Sequence, residues 1–388
     1  MKFLYSHRTR SADGQYVHIR SLSEALRAHG HDVAMVGPDD LSGDDRKLLS
    51  AGDGTPGLRE KMPGAVYELA EYGFSFLGAR RLASKAREFI PDVLYERYNL
   101  YYHAGVWLRR RNGFPLILEV NAPLVDERAA NGELSFKTLA RKSENAIWRA
   151  ADHVLPVTDT LADYIRRAGV PDEKITVIQN GVDQDFLNDV DPAPVRARHQ
   201  LDGKLVLGFT GFVRDWHGAD RVLRFMARSE RTDLHFLLVG DGPARGRLED
   251  LADQLGVTDQ FSVTGVVQRD GVASYVAAMD IALQPASVEY ASPLKLFEYM
   301  ALGRCIVAPN QRNIADVLTH GDDAMLFDTG DSNAFAASLA TLTNDAALRA
   351  RLGAAARASL IRQDLTWSGN ASKVAAIAQT LLQNKKTT

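Results

Sequence analysis

The sequence predicts an α/β protein in which parallel strands alternate with helices in two successive domains. Short apolar, β-like runs alternate with helical segments along the chain, which is the pattern of a parallel sheet covered by helices. A turn-rich, acidic stretch near the middle interrupts the alternation, which then starts again. The 388 residues also exceed the roughly 150 that one domain normally holds. We therefore expect two doubly wound domains.

The first series contains six β-like runs. It opens with KFLYS (2–6), and a helix near residues 16–29 follows and ends at Gly30, a residue type that suits a helix stop. The remaining runs are DVAMV (32–36), VLYE (93–96), PLILEV (115–120), HVLPV (153–157) and ITVI (175–178).

The break in the pattern is NGVDQDFLNDVDPAP (180–194), which is the best candidate for a linker. We predict a first domain over residues 1–185 and a second over 186–368. A terminal helix over 369–388 packs back on one of them, with the first domain as our interpretation. The strands of the second series are KLVLGFT (204–210), LHFLLVG (234–240), FSVTG (261–265), DIALQP (280–285), CIVAP (305–309) and AMLF (324–327).

Composition restricts the class of protein. With 45% hydrophobic and 24% charged residues the chain can bury large cores, and its net charge of −3 gives no global case for a nucleic-acid partner. The single cysteine, Cys305, cannot form an internal disulfide and fits an inert core thiol. No apolar run approaches the roughly 18 residues of a membrane span. We expect a cytoplasmic protein.

The segment SPLKLFEYMALG (292–303) carries the strongest functional signal. Ser292 and Pro293 suit the N-cap and first position of a helix. Lys295 would then lie in the first turn, where the helix dipole opposes a cation unless an anion binds in front of it. Glu298 offers two acceptor oxygens that suit a vicinal diol. The alternative is a surface pair between Lys295 and Glu298 at i and i+3.

This segment occurs with EVNAP (119–123), NGVD (180–183), DWHG (215–218) and VGDGP (239–243), in that chain order. The set resembles the family-4 glycosyltransferases of GT-B architecture over nearly the whole chain. The resemblance implies two facing Rossmann-like domains with parallel sheets and a C-terminal helical crossover. It also implies a nucleoside diphosphate sugar on the second domain, an acceptor on the first, retention of anomeric configuration, and no metal or other cofactor.

The resemblance assigns roles within the strongest segment. Glu298 matches the second glutamate of the family's paired-glutamate motif and would hold the donor ribose. The place of the first glutamate falls on Tyr290, so that Glu289, one residue away, or backbone groups near Ser292 would contact the donor sugar. Lys295 would stabilise the leaving diphosphate, and we include Pro293 and Leu294, at the start of the helix, among the donor-binding residues.

Two further family positions are altered. In TGFVRDWHG (210–218) the family's basic clamp on the diphosphate would use His217 in the place of a lysine. The place of the clamp's arginine falls near Gly211, and Arg214 is a substitute for it. Asn121 occupies a place where many relatives carry a histidine; its amide can hold sugar hydroxyls but cannot act as a general base. An exposed polar loop and a plain turn residue are the respective alternatives.

Glycine-containing turns complete the candidate set. The spacing in VGDGPARG (239–246) is wrong for a dinucleotide fingerprint, so the resemblance places Gly240 and Gly242 near the nucleotide base, together with Val266. Gly14 fits the loop between the first strand and helix, where it would leave the cleft open, and Gln15 and His18 lie just beyond it.

We predict a retaining glycosyltransferase that moves a sugar to a hydroxyl of a glycan, glycolipid or small-molecule acceptor. Two alternatives stay open: a nucleotide-sugar epimerase of the same architecture and a non-catalytic nucleotide-sugar-binding protein. Basic and aromatic residues mix in RRR (109–111), preceded by Trp107, and in residues 132–151 of the first domain. Either segment is a candidate for peripheral contact with an anionic membrane surface, and a solvated helix face is the alternative.

Overall fold

The computed structural model describes residues 1–9, 14–37 and 64–387. The chain divides into two compact units. Unit 1 contains Met1–Gln179, Tyr290–Ser292 and Trp367–Thr388, and unit 2 contains Asn180–Glu289 and Pro293–Thr366. The change from one unit to the next at residue 180 lies a few residues before the sequence-based boundary, within the turn-rich stretch that begins with NGVD.

Unit 1 is a five-stranded parallel sheet with helices between the strands. The strand order is β2-β1-β3-β4-β5. Every residue of β3 and β4 is buried, because helices cover both faces of a parallel sheet. The strands are β1 (Lys2–Ser6), β2 (Asp32–Val36), β3 (Val93–Arg97), β4 (Leu116–Val120) and β5 (His153–Pro156). The helices are α1 (Gly14–Ala28), α2 (Gly64–Phe89), α3 (Ala104–Asn112), α4 (Leu124–Ala130), α5 (Lys137–Ala150) and α6 (Asp159–Arg167).

The final helix of the chain, α15 (Trp367–Thr387), belongs to unit 1 and packs against α1. The rings of His18 and Trp367 lie 4.7 Å apart in an edge-to-face arrangement, and His29 Nε2 lies 2.8 Å from the Ser368 hydroxyl. Unit 1 therefore combines residues 1–179 with a helix that follows unit 2 in the sequence.

Unit 2 is a six-stranded parallel sheet with the order β11-β10-β9-β6-β7-β8. Its strands are β6 (Leu205–Thr210), β7 (Leu234–Val239), β8 (Phe261–Val263), β9 (Ile281–Leu283), β10 (Cys305–Pro309) and β11 (Met325–Phe327). Its helices are α7 (Ala193–Arg198), α8 (Asp220–Ser229), α9 (Arg245–Leu255), α10 (Arg269–Ala277), α11 (Leu294–Ala301), α12 (Arg312–Ala315), α13 (Ala334–Asn344) and α14 (Ala346–Arg362).

Each sheet has a point where the direction of winding reverses. In unit 2 the chain starts with β6, adds β7 and β8 on one side, and then adds β9 to β11 on the other. In unit 1 the corresponding reversal lies between β1 and β3. Ligands of doubly wound sheets bind at the carboxyl ends of the strands at such a reversal. The loops after β6 and β9 are therefore the first place to seek a site in unit 2.

Two expectations from the sequence differ from the fold. The run ITVI does not form a sixth strand of unit 1: Ile175 makes only an isolated bridge with Val154, and Thr176 donates to the Val154 carbonyl oxygen at 3.1 Å. The segment thus follows β5 without a regular ladder. Helix α1 begins at Gly14 itself, which we had placed in the preceding loop.

None of the helices in the described part of the chain has the combination of length and apolarity that crossing a bilayer requires.

A buried acid lies between β3 and α3. The Glu96 side chain is 1% exposed and accepts a hydrogen bond from the backbone N–H of Gly105, in the first turn of α3, at 3.0 Å. Burial raises the pKa of Glu96 to about 8, and the hydrogen bond from Gly105 opposes this shift only in part. The carboxyl group is therefore largely protonated near neutral pH.

Protein stability should consequently depend on the ionisation of Glu96. Between its ordinary pKa of 4.5 and about 8 the folded protein binds more protons than the unfolded chain, so the free energy of unfolding falls as pH rises across this window. Glu96→Gln keeps a hydrogen-bond acceptor for Gly105 and cannot ionise. We expect it to reduce the difference between urea unfolding midpoints measured at about pH 5 and about pH 8. The exposed Glu173→Gln is the control, and an equal pH difference in all three proteins would contradict the assignment.

Candidate active site

Helix α11 carries the segment with the strongest sequence signal, and a tyrosine ties it to the end of β6. The Tyr299 hydroxyl accepts a hydrogen bond from the backbone N–H of Thr210 at 2.9 Å and lies 3.1 Å from the Thr210 hydroxyl. Lys295 lies one turn earlier on the same helix face. The fold thereby holds Lys295 at the carboxyl end of β6, where the winding of unit 2 reverses.

The Lys295 ammonium has no carboxylate partner among the residues that the structure describes. Its Nζ lies 3.6 Å from the centroid of the Phe209 ring, and a Cβ atom on Gly211 would lie 3.6 Å from the same Nζ. No carboxylate in the described part of the chain forms an ion pair with it, because Glu298 pairs with Arg269 instead. Burial lowers the pKa of Lys295 to about 7, and Glu298 opposes this only in part. A bound anion would restore the charged form.

The start of α11 adds to this anion site. The helix begins at Leu294, and Pro293 precedes it as an extended N-cap with φ −69° and ψ 115°. The prediction that Ser292 caps the helix and that Pro293 is its first residue is wrong, because the Ser292 hydroxyl donates to Gln179 Oε1 at 3.0 Å. Among the residues that the structure describes, no side chain caps the helix. Its first turn therefore presents backbone N–H groups that an anion can accept.

Two glycines allow the loop after β7 to cross the loop after β6. A Cβ atom on Gly240 would lie 2.2 Å from the carbonyl oxygen of Gly211, and one on Gly242 would lie 2.2 Å from that of Val213. Both glycines have positive φ, 134° and 153°. The Val213 N–H donates to the Asp241 carbonyl oxygen at 2.8 Å. Gly240 and Gly242 thus fix the shape of the Gly211 loop beside Lys295.

His217 does not supply the positive charge expected of the clamp. The backbone N–H of Arg214 donates to His217 Nδ1 at 2.9 Å, which leaves the ring proton on Nε2. Burial, together with the charges of Lys295 and Arg214, lowers the pKa of His217 to about 3, so the imidazole is neutral. Arg214 itself is exposed, and its guanidinium lies 5.4 Å from the Phe212 ring. Of the two residues that we had assigned to the clamp in this loop, only Arg214 carries a positive charge.

Glu298 is 5% exposed and pairs with an arginine that is itself only partly buried. Its Oε1 accepts a hydrogen bond from Arg269 Nη1, and Arg269 Nη2 also donates to Asp183 Oδ2 at 2.7 Å. Burial would lower the pKa of Arg269, but the carboxylates of Glu298 and Asp183 raise it above its ordinary value. One oxygen of Glu298 is thus already paired, and the surface pair with Lys295 that we considered as an alternative does not form.

Two candidate residues of unit 1, Asn121 and His18, contact a buried carboxylate at the carboxyl end of β4. Glu119 Oε1 accepts hydrogen bonds from Asn121 Nδ2 and, at 2.5 Å, from Arg97 Nη1. Glu119 Oε2 lies 2.8 Å from His18 Nε2 and accepts from the Tyr95 hydroxyl at 2.7 Å. Burial favours the protonated acid, but His18 and Arg97 outweigh it and lower the pKa of Glu119. The ionised carboxylate orients Asn121 through its amino group and leaves the amide oxygen as an acceptor.

Two residues predicted near the donor, Tyr290 and Ser292, belong to unit 1. The backbone carbonyl of Tyr290 accepts a hydrogen bond from the Thr158 hydroxyl at 3.0 Å. Burial and a hydrogen bond to Glu127 raise the pKa of the Tyr290 phenol. Both side chains therefore have partners within unit 1.

The remaining candidates are exposed. Glu289 is exposed at the end of the loop that follows β9, and Val266, 55% exposed, follows β8. Gly14 and Gln15 are exposed at the start of α1, where the Thr9 hydroxyl donates to Gln15 Oε1 at 3.4 Å. All four lie beyond the carboxyl ends of strands of their own unit.

Comparison with known proteins identifies the family. A model described as glycosyl transferase 4-like domain matches residues 13–181, and one described as glycosyl transferases group 1 matches residues 204–345. The chain belongs to the family-4 glycosyltransferases of GT-B architecture. The predicted family and the predicted α/β fold with two Rossmann-like domains are confirmed.

The glycosyltransferase is similar to a D-inositol 3-phosphate glycosyltransferase of Thermobispora bispora, with 28% identity over 74% of this chain and 70% of the relative. Its fold resembles that of Anabaena HepE in complex with UDP and glucose, with a TM-score of 0.76, 17% identity, and coverage of 98% of this chain and 100% of HepE. Sucrose-phosphate synthase of Thermosynechococcus elongatus gives a TM-score of 0.78 at 20% identity, with 99% and 100% coverage.

The structure of this glycosyltransferase brings Lys295 and Gly211 together, and it also shows groups that sequence reasoning missed. Arg269 was not recognised as the partner that Glu298 shares with Asp183, although the NGVD motif contained Asp183. Glu119 was quoted in EVNAP only as the neighbour of Asn121. An acid within an otherwise apolar strand was the signal that could have marked it.

Proposed function

We propose that this glycosyltransferase moves a sugar from a nucleoside diphosphate sugar to a hydroxyl of a glycan, glycolipid or small-molecule acceptor, with retention of anomeric configuration. The observation that carries the proposal is the unpaired Lys295 ammonium, which lies beside the Gly211 backbone at the uncapped start of α11. A diphosphate would satisfy both the ammonium and the helix N–H groups. Glu298, one turn further along α11, has an oxygen left for ribose hydroxyls.

The proposed chemistry is attack from the face that the diphosphate leaves. The acceptor oxygen forms a bond to the anomeric carbon as the bond between that carbon and the diphosphate oxygen breaks. The leaving diphosphate oxygen takes the proton of the acceptor hydroxyl. Lys295 and the first turn of α11 stabilise the charge that grows on the leaving oxygen. Neutral His217 contributes at most an Nε2–H donor. We assign Asn121 a positioning role toward sugar hydroxyls, since its amide is held by Glu119.

We propose that the transfer needs no metal ion. In the described part of the chain no group of three His, Cys, Asp or Glu side chains is arranged to hold one, and Lys295 supplies a positive charge near the diphosphate position. The rate should therefore stay the same when a chelator such as EDTA is added. A loss of turnover that added Mg²⁺ or Mn²⁺ restores would contradict this part of the proposal.

A screen of nucleotide sugars tests the function directly. A donor at about 100 times its dissociation constant raises stability by about 2.7 kcal/mol, which thermal shift detects. Donors that bind are then incubated with candidate acceptors, and the configuration of the product is determined by NMR. Conversion of the donor without acceptor would indicate the epimerase, and tight binding without turnover would indicate the non-catalytic protein.

We also propose that unit 1 contacts an anionic membrane surface through α2. Phe76 and Leu77 are 59% and 53% exposed, and Arg80 and Arg81, both exposed, follow about one turn later on the same helix. Phe76 packs at 4.8 Å against the ring of Trp107, the aromatic residue that precedes RRR (109–111). Apolar side chains with flanking arginines suit a lipid headgroup boundary.

Vesicle sedimentation tests this contact. The protein should bind phosphatidylserine-containing vesicles at low salt, and a Phe76→Ser/Leu77→Ser variant should bind them several-fold more weakly because it inserts less apolar surface. Ile361→Ser, at a residue that is 59% exposed in unit 2, is the control. Equal sedimentation of all variants, or no sedimentation of the unmodified protein, would remove the membrane proposal.

A further inference from the structure

The NGVD motif at residues 180–183 ends in an aspartate that the proposed function leaves without a role. In the structure Asp183 accepts two hydrogen bonds from one arginine, from Arg269 Nε at 3.3 Å and from Arg269 Nη2 at 2.7 Å. The remaining terminal nitrogen of the same guanidinium, Nη1, donates to Glu298. A motif at the start of unit 2 is thereby connected through one side chain to the candidate ribose-binding carboxylate.

The guanidinium of Arg269 is fixed from several sides. Arg269 is the first residue of α10, and its guanidinium carbon lies 4.8 Å from the centroid of the Phe186 ring. Asp183 and Phe186 both belong to the segment that begins unit 2, whereas Glu298 belongs to α11. An arginine suits this position because its planar fork serves two carboxylates at once, which the single ammonium of a lysine does less well.

We propose that Arg269, held by Asp183, is a positioning residue that keeps the Glu298 carboxylate oriented to accept the ribose hydroxyls of the donor. The inference rests on the proposed function, because it presupposes that Glu298 binds a ribose. Glu298 is 5% exposed, and a buried carboxylate that loses its hydrogen-bonding partner is no longer held in one orientation. Arg269 thus acts on the ribose through Glu298 and touches no reacting atom.

Calorimetric titration of UDP, ADP and GDP, each compared with its 2′,3′-dideoxy form, tests the inference without requiring turnover. The unmodified protein should bind one of the three more tightly than its dideoxy form, because only the ribose form reaches Glu298. Arg269→Gln should weaken binding of that nucleotide about tenfold and leave binding of the dideoxy form within about twofold. Arg269→Lys should recover part of the loss. Asp183→Asn should give a smaller loss of the same kind.

The matched control is Arg231→Gln, since Arg231 forms a bidentate pair with Asp233 at a similar exposure, before the amino end of β7. It should bind both forms as the unmodified protein does. A variant that combines Arg269→Gln with Glu298→Gln should bind the nucleotide no more weakly than the Glu298→Gln variant alone. Each change removes the same interaction, the one between Glu298 and the ribose.

Equal losses of the ribose and dideoxy forms in Arg269→Gln, or no loss of either, would overturn the inference and leave the proposed function standing. A fully additive double variant would also overturn it. If the unmodified protein binds none of the three nucleotides, both the proposed function and this inference fail.

Discussion

We expect Lys295→Ala to lower kcat by about 10²- to 10³-fold, by analogy with the loss of one preorganised group at a developing charge. Donor binding falls less. In the ground state of the variant the diphosphate still accepts hydrogen bonds from the backbone N–H groups of the first turn of α11. Charge on the leaving oxygen grows only as the glycosidic bond breaks, and an ammonium beside it then contributes most. Separate measurement of kcat and of the donor dissociation constant distinguishes the two effects.

The pH dependence gives an independent check on Lys295. Because burial lowers the pKa of Lys295 to about 7 in the unliganded protein, its charged form is lost as pH rises through that value. A bound diphosphate favours the charged form, so that donor binding above pH 7 takes up a proton and weakens as pH rises. Lys295→Arg should abolish this dependence, since an arginine keeps its proton, while recovering only part of kcat. Lys204→Ala, at an exposed lysine whose Nζ donates to the Thr232 carbonyl oxygen, is the control.

If kcat is unchanged in the Lys295→Ala variant, Lys295 has no catalytic role and only a structural one.

The second large effect is expected from Glu298→Ala. Hydrogen bonds to a charged group contribute about 1.5 to 3 kcal/mol, so the variant should bind the donor about 10- to 150-fold more weakly. The loss should be confined to donors with ribose hydroxyls, because a donor without them makes no hydrogen bond to this carboxylate. Isothermal titration with a normal and a 2′,3′-dideoxy donor measures the difference.

The structure also indicates a suitable control for Glu298. Glu249 pairs with Arg245 on the exposed surface of α9, so Glu249→Ala removes a carboxylate of unit 2 without affecting a buried cluster. It should leave binding of both donors unchanged. If Glu298→Ala weakened the binding of both donors equally, Glu298 would stabilise the fold of the site and would not bind the ribose hydroxyls.

The strands were predicted well where local pattern decides them. KFLYS, DVAMV and CIVAP form β1, β2 and β10 over the same residues, because the strands of a parallel sheet appear as short, mostly apolar runs. ITVI is also mostly apolar but forms no regular strand. It makes an isolated bridge between Ile175 and Val154 and backbone hydrogen bonds from Thr176 and Ile178 to carbonyls of β5, and the sequence alone does not show whether such contacts complete a ladder. The start of α11 was placed one residue early, because the partner of Ser292 is Gln179, more than a hundred residues away along the chain.

The candidate site, like the strands, was predicted where a local pattern decides the structure and missed where distant residues meet. Lys295 and Glu298 were found because they lie within one short motif whose spacing has a physical meaning. Arg269 was missed because it is 29 residues from Glu298 and 86 from Asp183, and only the folded chain brings the three together. The charge of His217 was misjudged for a related reason. Its neutrality follows from burial and from a backbone hydrogen bond, which residue type alone does not reveal.

The contribution of the last helix to the first unit bears on how the protein is made. Helix α15 places Trp367 against His18, so unit 1 lacks one of its covering helices until the end of the chain has been synthesised. The stretch 180–366 must be translated first, which takes about 20 seconds at roughly 10 residues per second. Unit 2 can meanwhile fold as a continuous block apart from three residues. The unit whose first residues leave the ribosome earliest is therefore the unit whose covering helices are completed last.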